Sequence, residues 1–264
     1  KATSIGPLTL QQLHSYFTGS HDPDLPRAME IFAVDQIKAN GLLSSRCCDN
    51  ALQSRHNEFT SLRESITCDA PDFPARVAAL FFKSLGAEDE WDMRAGTDDI
   101  AMAYRQCPSL TPQYTVVAVV NPSDGRAYFF IAPGMNFGLK AAVNQFNRLP
   151  EIIVSFLRRR AGIPVTHYFD DYCVCEPGYA GESGQTTLRD LHNRLGIPLA
   201  EEKHEPMSKV CLFLGIVTDF MTFGSNRQVI LRPKPGRADT IAALIDAATE
   251  SDGFTPGAAA TLRG

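Results

Sequence analysis

The sequence predicts an α+β fold, and three of its features support that prediction. Residues 114–132 contain two β-rich runs on either side of an Asn-Pro-Ser-Asp-Gly turn, which is the pattern of a hairpin. Residues 166–175 repeat the pattern around two adjacent aspartates. Residues 74–85 and 139–160 carry apolar side chains at helical spacing. Hairpins that alternate with helices predict an antiparallel sheet with helices packed on it.

The remaining elements follow from apolar spacing and from the residues that end helices. A glycine after the last apolar position predicts that helices end at Gly41, Gly86 and Gly196. Pro150 should kink or interrupt the long helical pattern in which it lies. A strand should carry Asp99, and an extended run should lead to Arg46. We also expect helices over 8–17, 30–40, 186–195, 239–249 and 256–262, and strands over 212–218 and 228–231.

Composition and charge bound the class of protein. With 44% hydrophobic and 21% charged residues in a chain of 264, the make-up is that of a globular protein that can bury a sizeable core. No apolar run approaches the ~20 residues of a membrane span, so we expect no membrane partner. The net charge of -5 gives no overall basic footprint, which counts weakly against a nucleic-acid binder.

The cysteines and the chain ends bear on location and context. The seven cysteines are odd in number and show no CxxC spacing. This pattern argues against a zinc site and a disulfide framework, and it favours an intracellular location in the cytoplasm or nucleus. The chain begins at Lys1 without Met and stops at Gly264 inside a helical pattern, so we interpret it as a piece of a longer polypeptide.

The pair Asp170 and Asp171, at the tip of the second predicted hairpin, is the strongest functional signal in the residues themselves. Two adjacent carboxylates repel each other, and a bound cation would relieve that repulsion. The plain alternative is that aspartate is a good turn residue. If the sheet brings the strand that carries Asp99 beside the tip, a third carboxylate joins the pair. Asp98 is the rival of Asp99, and its plain interpretation is an exposed neighbour.

Five segments, in order, resemble the motifs of reverse transcriptases. The first has an aspartate five positions before the tyrosine of Tyr-Arg-Gln, and the second has a glycine bend before a helix. The third is Tyr-x-Asp-Asp, the fourth ends in lysine, and the fifth is a Leu-Phe-Leu-Gly hairpin. The segments are Asp99–Gln106, Met135–Arg148, Tyr168–Asp171, Leu195–Lys203 and Leu212–Ile216. Their details look closest to eukaryotic retroelement polymerases of the tyrosine-recombinase (DIRS-like) kind.

The resemblance implies a right-hand polymerase architecture of fingers and palm, with an antiparallel palm sheet packed on helices and a thumb that is only begun. It would place the fingers in residues 1–95, with a finger hairpin at 108–137. The palm would comprise 96–107 and 138–218. Residues 219–264 would hold the return strand of the primer grip and the start of the thumb.

The resemblance also implies two-metal nucleotidyl transfer. Asp99, Asp170 and Asp171 would hold two Mg²⁺ ions, with Mn²⁺ as a substitute, because few carboxylates with waters and substrate phosphates suit Mg²⁺. Lys203 would reach the triphosphate and donate a proton to the leaving pyrophosphate. The plain alternative for Lys203 is a solvated lysine after two glutamates.

Further residues would bind the nucleotide and the primer. Tyr104 would lie beneath the incoming sugar and collide with a 2′-OH, which favours deoxynucleotides; its plain alternative is an aromatic residue packed on the sheet. Phe137 and Gly138 would form a bend against base and sugar, although family members often have proline where Asn136 stands. Arg46 would clamp phosphates, but the lysine that often accompanies it is missing. The primer grip would comprise Leu212, Phe213, Leu214 and Gly215.

The function implied is that of an RNA-directed DNA polymerase. Its partners would be an RNA or DNA template with a primer, dNTP, and the ribonuclease H and other domains of a longer polyprotein. We expect weak or no processive synthesis from this piece alone. Two alternatives stay open: an RNA-dependent RNA polymerase, or a catalytically decayed palm that acts as a nucleic-acid-binding module.

Overall fold

The computed structural model describes residues 4–18, 26–37, 42–84 and 91–250, together with 253 and 255. Its strands are β1 (Ile5–Leu8), β2 (Ala28–Ile37), β3 (Leu43–Asp49), β4 (Met93–Asp99), β5 (Val116–Val120), β6 (Ala127–Ile131), β7 (Val165–Tyr168), β8 (Asp171–Pro177), β9 (Glu205–Ser208), β10 (Val210–Phe213), β11 (Ile216–Asp219) and β12 (Ile230–Pro233). Its α-helices are α1 (Leu10–Thr18), α2 (Phe73–Ser84), α3 (Lys140–Phe156), α4 (Ser183–Leu195), α5 (Phe223–Asn226) and α6 (Arg237–Glu250). The fold is α+β, as predicted.

The chain forms two compact units. The first comprises Lys1–Cys68, Ile100–Ser155 and Leu195–Pro198, and the second comprises Asp69–Asp99, Phe156–Arg194 and Leu199–Gly264. Residues 69–95 were expected in the fingers and belong to the second unit, whereas residues 138–155 were expected in the palm and belong to the first. Compactness does not test the assignment of fingers, palm and thumb, which stays a prediction.

The first unit is built on a five-stranded sheet of order β1-β6-β5-β2-β3, in which only the β2–β5 pair is parallel among the described strands. The predicted hairpin is confirmed as β5 and β6. Val116 and Val117 point to opposite faces, because successive side chains of a strand alternate. Val116 packs with Leu13 and Phe17 of α1, and Val117 packs with Met29. Both faces of the sheet therefore bury apolar side chains.

The second unit contains a four-stranded antiparallel sheet of order β7-β8-β4-β9 and a three-stranded sheet of order β10-β11-β12. One face of the larger sheet presents Ala95, Cys173 and Cys175 to a core that α2 and the smaller sheet complete. The opposite face presents Gly96 to α4, where an added Cβ would lie 2.7 Å from Oε1 of Gln185. The larger sheet is thus covered on both faces, and its strand ends carry the candidate site.

Two sequence predictions about the elements are wrong, and the interruption considered at Pro150 is not found. Residues 30–40 were expected to be a helix, but Ala28–Ile37 is a strand, because its pairing with β3 and β5 overrides the helix-like spacing. Residues 212–218 were expected to be one strand, but Leu214 and Gly215 adopt left-handed φ values of 49° and 78° and turn the chain into the β10–β11 hairpin. Pro150 lies inside α3, which continues to Phe156 without interruption.

The other predicted elements are found where the sequence placed them. These include α1, α2, α4 with Gly196 at its end in a left-handed conformation, β12 and α6. The helix ends expected at Gly41 and Gly86 and the helix expected over 256–262 lie outside the described residues. All seven cysteines fall within the described ranges and are free thiols. None of the helices in those ranges combines the length and apolar character that crossing a bilayer requires.

Candidate active site

The aspartate hairpin is formed by β7 and β8. Tyr168 pairs with Asp171, so the two-residue turn consists of Phe169 and Asp170. Phe169 has a left-handed φ of 54°, which matches the twist that short hairpin turns require. The prediction that both aspartates lie at the tip is therefore half right, because Asp171 is the first residue of β8. This difference decides which way the Asp171 side chain points.

Three charged side chains form one row across the strand ends of the second unit. Asp171 of β8 lies directly opposite Asp99 of β4 in the antiparallel register. On the other side of β4, Lys203 places Nζ 2.7 Å from Oδ2 of Asp99. The backbone N–H of Ala200 donates to the Asp99 carbonyl at 2.8 Å, which fixes the segment that carries Lys203. We call Asp171, Asp99 and Lys203 the carboxylate row.

The electrostatics of the row follow from burial and from like charge. Asp99 is only 5% exposed. Burial, the hydrogen bond with Asp99 and the charge of Asp170 raise the pKa of Asp171 to about 7, although the Lys203 ammonium acts in the opposite direction. Partial burial would lower the pKa of Lys203, but the hydrogen bond to Asp99 and the charges of Asp170 and Asp171 outweigh it and raise that pKa. The row therefore attracts positive charge.

The donor set of the row fits a hard divalent cation. It offers carboxylate oxygens from two strands and a third carboxylate from the adjoining turn, and Mg²⁺ is usually bound through one or two carboxylates together with waters and phosphates. Burial and the neighbouring Asp99 and Asp170 raise the pKa of Asp171, and a bound cation would favour its ionised form. Within the described ranges, however, no three Asp, Glu, His or Cys side chains are already arranged as a ready-made metal cluster. In this structure the cation next to Asp99 is the ammonium of Lys203.

Asp98 is not the exposed neighbour that the sequence suggested. It is 2% exposed, and it points to the face of the sheet that α4 covers. Its carboxylate accepts hydrogen bonds from Gln185 Nε2 at 2.9 Å and from Nη1 of Arg189. A third contact joins it to Nδ1 of His204 at 2.9 Å. Asp98 and Asp99 therefore differ in role because adjacent strand residues face opposite ways.

The first unit holds the predicted nucleotide-binding bend, Asn136–Gly138, through a buried ion pair. Arg105 places Nη2 2.8 Å from Oδ2 of Asp49, and its Nη1 donates to Oδ1 of Asn136. Asp49 also accepts the backbone N–H of Phe137, while burial outweighs these contacts and raises its pKa. Asn136 is fully buried. Asn136 therefore has a structural role at the bend, namely its contact with Arg105.

Aromatic packing and a glycine complete the bend. The Tyr104 ring meets the edges of Phe137 and Phe146 at centroid distances of 4.8 Å and 5.1 Å. Gly138 has a left-handed φ of 86°, and an added Cβ there would lie 2.7 Å from the backbone oxygen of Asp49. Glycine is therefore required at 138 both for conformation and for space. The structure brings Tyr104, Phe137 and Gly138 together within the first unit.

The remaining predicted residues lie elsewhere. Arg46 belongs to β3, where it pairs with Val34, and its side chain lies outside the described part of the structure. Leu212 and Phe213 end β10, while Leu214 and Gly215 form the turn into β11, so the four predicted primer-grip residues form a hairpin in the second unit. Phe213 is buried in the core and Leu212 is half-exposed.

Sequence reasoning missed the supporting residues Asp98, Arg189, His204, Asp49 and, as partners, Arg105 and Asn136. Strand alternation carried one usable signal: if Asp99 faces the site, Asp98 must face the layer that covers the other side. No comparable signal marks Arg189 or Asp49, because their contacts join residues 91 and 56 positions apart in the sequence.

Comparison with known proteins adds no assignment: neither family models nor curated proteins match this chain.

Proposed function

We propose that the chain is an RNA-directed DNA polymerase, which adds deoxynucleotides to a primer 3′-OH on an RNA or DNA template. The observation that carries the proposal is the carboxylate row, with Asp171 opposite Asp99 and Lys203 bonded to Asp99. Asp170 adjoins the row in the hairpin turn. The five motif resemblances support the same activity, and the DIRS-like retroelement subtype and the right-hand polymerase architecture are part of the proposal.

The chemistry assigns a task to each member of the row. Mg²⁺ bound by Asp99, Asp170 and Asp171 would supply the positive charge that stabilises the attacking and leaving oxygens. The primer 3′-oxygen bonds to the α-phosphorus, and the bond from that phosphorus to the pyrophosphate oxygen breaks. Lys203 supplies a proton to pyrophosphate, while the proton of the 3′-OH leaves to solvent. The Lys203 ammonium lies 2.7 Å from Oδ2 of Asp99, next to the proposed metal ligands.

The nucleotide contacts belong to the proposal as well. Tyr104 would exclude a 2′-OH, and Phe137 and Gly138 would contact base and sugar. Arg46 would bind phosphates, and the β10–β11 turn would support the primer end. Template, primer, dNTP, and the ribonuclease H and other domains of a longer polyprotein are the proposed partners.

Single-nucleotide primer extension tests the proposal. The purified chain is mixed with a primer–template and one complementary dNTP, with Mg²⁺ or with EDTA. We expect extension that requires Mg²⁺ and falls at least about 10²-fold in Asp170→Asn, because charge stabilisation in the transition state is lost. Primer–template binding, measured by gel shift, should be the same in both proteins. Extension that is equal in parent and variant would contradict the assignment.

Sugar choice separates the proposal from an RNA polymerase. The parent should prefer dNTP over NTP, and Tyr104→Ala should relax that preference about tenfold, since removal of a fitted group changes discrimination by about this factor. Phe146→Leu, which alters the ring behind Tyr104, serves as a packing control. A parent that prefers NTP would replace the proposal with the RNA-dependent RNA polymerase.

A nucleic-acid-binding module is the second candidate. The observation that favours it is that Lys203 already neutralises Asp99, while the described side chains form no ready-made metal cluster. In that case, primer–template would bind to the parent and to Asp170→Asn alike, and neither would extend the primer at any Mg²⁺ or Mn²⁺ concentration.

A further inference from the structure

The buried face behind the carboxylate row contains a second polar network. Asp98 accepts from Gln185 and Arg189 of α4 and contacts His204 in the segment after α4. Arg189 also bonds Glu201. A buried carboxylate is costly unless it is paired and hydrogen-bonded, and here it has three partners. The network therefore ties β4, α4 and residues 201–204 together at one point.

The register of the sheet relates this network to Lys203. Thr97 of β4 pairs with Glu205 of β9 in antiparallel register. Before Glu205 the chain forms the short 3-10 helix Glu201–Lys203, which places His204 beside Asp98 and Lys203 beside Asp99. The side chains bond in that order, Nδ1 of His204 to Asp98 at 2.9 Å and Nζ of Lys203 to Asp99 at 2.7 Å. The two acceptors are consecutive residues of β4, so the two bonds lie on opposite faces of that strand.

We propose that Asp98 is a positioning residue for the candidate active site, which holds the segment 201–204 in register and so sets Lys203 against Asp99. The inference rests on the proposed function in so far as Lys203 acts on the substrate. The Lys203 side chain is 56% exposed and has little packing of its own to hold it. Its position depends instead on the residues on either side, because Arg189 holds Glu201 and Asp98 holds His204.

Stability alone is a weak explanation for this network. Apolar residues of similar volume often replace buried ion pairs without loss of stability. An apolar side chain at position 98 would fill the same space, but it would leave Arg189 and His204 without the acceptor that orders them. The structure therefore assigns to Asp98 the task of fixing geometry, and that task can be separated from folding by experiment.

The kinetic test compares Asp98→Asn with Glu176→Gln. Glu176 of β8 is a matched control because it is a buried carboxylate on the same face of the sheet as Asp98. It accepts the N–H of Gly184, at the other end of α4. We expect kcat for single-nucleotide extension to fall about 10- to 100-fold in Asp98→Asn, as is typical when the partner of an active-site residue is removed. In Glu176→Gln, kcat should stay within about twofold of the parent.

A double mutant identifies the route of the effect. If Asp98 acts through Lys203, Asp98→Asn should cause little further loss in the Lys203→Gln background. Multiplied losses, or an equal loss in Glu176→Gln, would overturn the proposal. His204→Ala removes one of the two bonds and keeps Asp98 and Arg189 in place, so it tests the idea if Asp98→Asn does not fold. We expect a smaller loss in kcat there, and recovery in His204→Gln.

Amide hydrogen exchange tests positioning without any turnover. The Ala200 N–H donates to Asp99, so its protection reports whether the segment is docked on β4. Exchange at Ala200 should accelerate at least about tenfold in Asp98→Asn and stay unchanged in Glu176→Gln. Unchanged exchange in Asp98→Asn would refute positioning even in an active polymerase. Accelerated exchange in a chain that never extends a primer would keep the positioning and refute the proposed function.

Discussion

The carboxylate row and the Asn136–Gly138 bend hold their functional side chains by different means. In the row, strand register places Asp171 opposite Asp99, and the ion pair of Lys203 with Asp99 completes the row. At the bend, the ion pair of Asp49 and Arg105 does the positioning through side chains. We expect a row built on strand register to keep its fold when a side chain is changed. The bend should lose stability when its ion pair is removed. The following predictions test that contrast.

The largest effect is expected at Lys203. Lys203→Gln should lower kcat about 10²-fold or more, because the proton donor to pyrophosphate is lost. Thermal unfolding should change less than in Arg105→Gln, since the Lys203 side chain is 56% exposed and the amide of Gln keeps a hydrogen-bond donor near Asp99. Lys209→Gln, which breaks an exposed pair with Asp92 in the same unit, is the control and should leave kcat unchanged. An unaltered kcat in Lys203→Gln would remove the lysine from the mechanism.

The tether of the bend should matter for folding. Arg105→Gln leaves Asp49, whose side chain is 4% exposed, without its ion-pair partner. We expect the free energy of unfolding to fall by about 3 kcal/mol, because an uncompensated buried charge remains. Urea denaturation measures this loss.

An exposed pair in the same unit provides the control for Arg105→Gln. Arg148 and Glu64 are each 54% exposed, and Arg148→Gln should cost less than about 1 kcal/mol. Adding Asp49→Asn to Arg105→Gln should recover part of the stability. If the two arginine variants lose equal amounts, the bend is not tethered by Arg105.

A further expected effect is a pH dependence of stability that divalent cations should remove. The pKa of Asp171 rises from 3.8 to about 7 on folding. Because the folded chain then binds this proton more tightly than the unfolded chain, stability in EDTA should fall as pH rises from about 4 to about 7. Mg²⁺ should flatten this slope, and Asp171→Asn should reduce it.

The bend supplies the contrast for this titration. Burial raises the pKa of Asp49 as well, so it contributes a slope of the same sign. Its partner is Arg105, however, and Asp49→Asn should reduce the slope equally in Mg²⁺ and in EDTA. Urea midpoints between pH 4.5 and pH 7.5 in both buffers measure the two contributions. If the pH dependence of stability in the parent is the same in Mg²⁺ and in EDTA, a cation at Asp171 is excluded.

Local sequence patterns predicted the hairpins well and the long-range pairings poorly. The β5–β6 and β7–β8 hairpins follow from β-rich runs around short turns, which are local signals. The strand β2 was taken for a helix because Ile31, Val34 and Ile37 also fit a helical spacing. Its pairing with β5, almost 90 positions away in sequence, decides the outcome. Such pairings leave no local trace.

The candidate site shows the same division. Asp170 and Asp171 were predicted from the turn, and the structure places Asp99 opposite Asp171 as the sheet argument expected. The burial of Asp98 was missed, because the sequence pattern of two adjacent aspartates is the same whichever of the two faces the core. Only the register, together with the helix that covers one face, distinguishes them.

Buried thiols in the core of the second unit can report chemically on the opening of its larger sheet. Cys173 and Cys175 lie in the core of the larger sheet, where contact with Cys211 and burial raise the pKa of Cys173, and burial raises that of Cys175. A thiol held in its neutral form and shielded from solvent reacts with alkylating agents only when the structure around it opens. Cys47, which is exposed, reacts without opening. The rate at which the buried thiols are alkylated therefore measures how often the sheet that carries Asp99 and Asp171 opens.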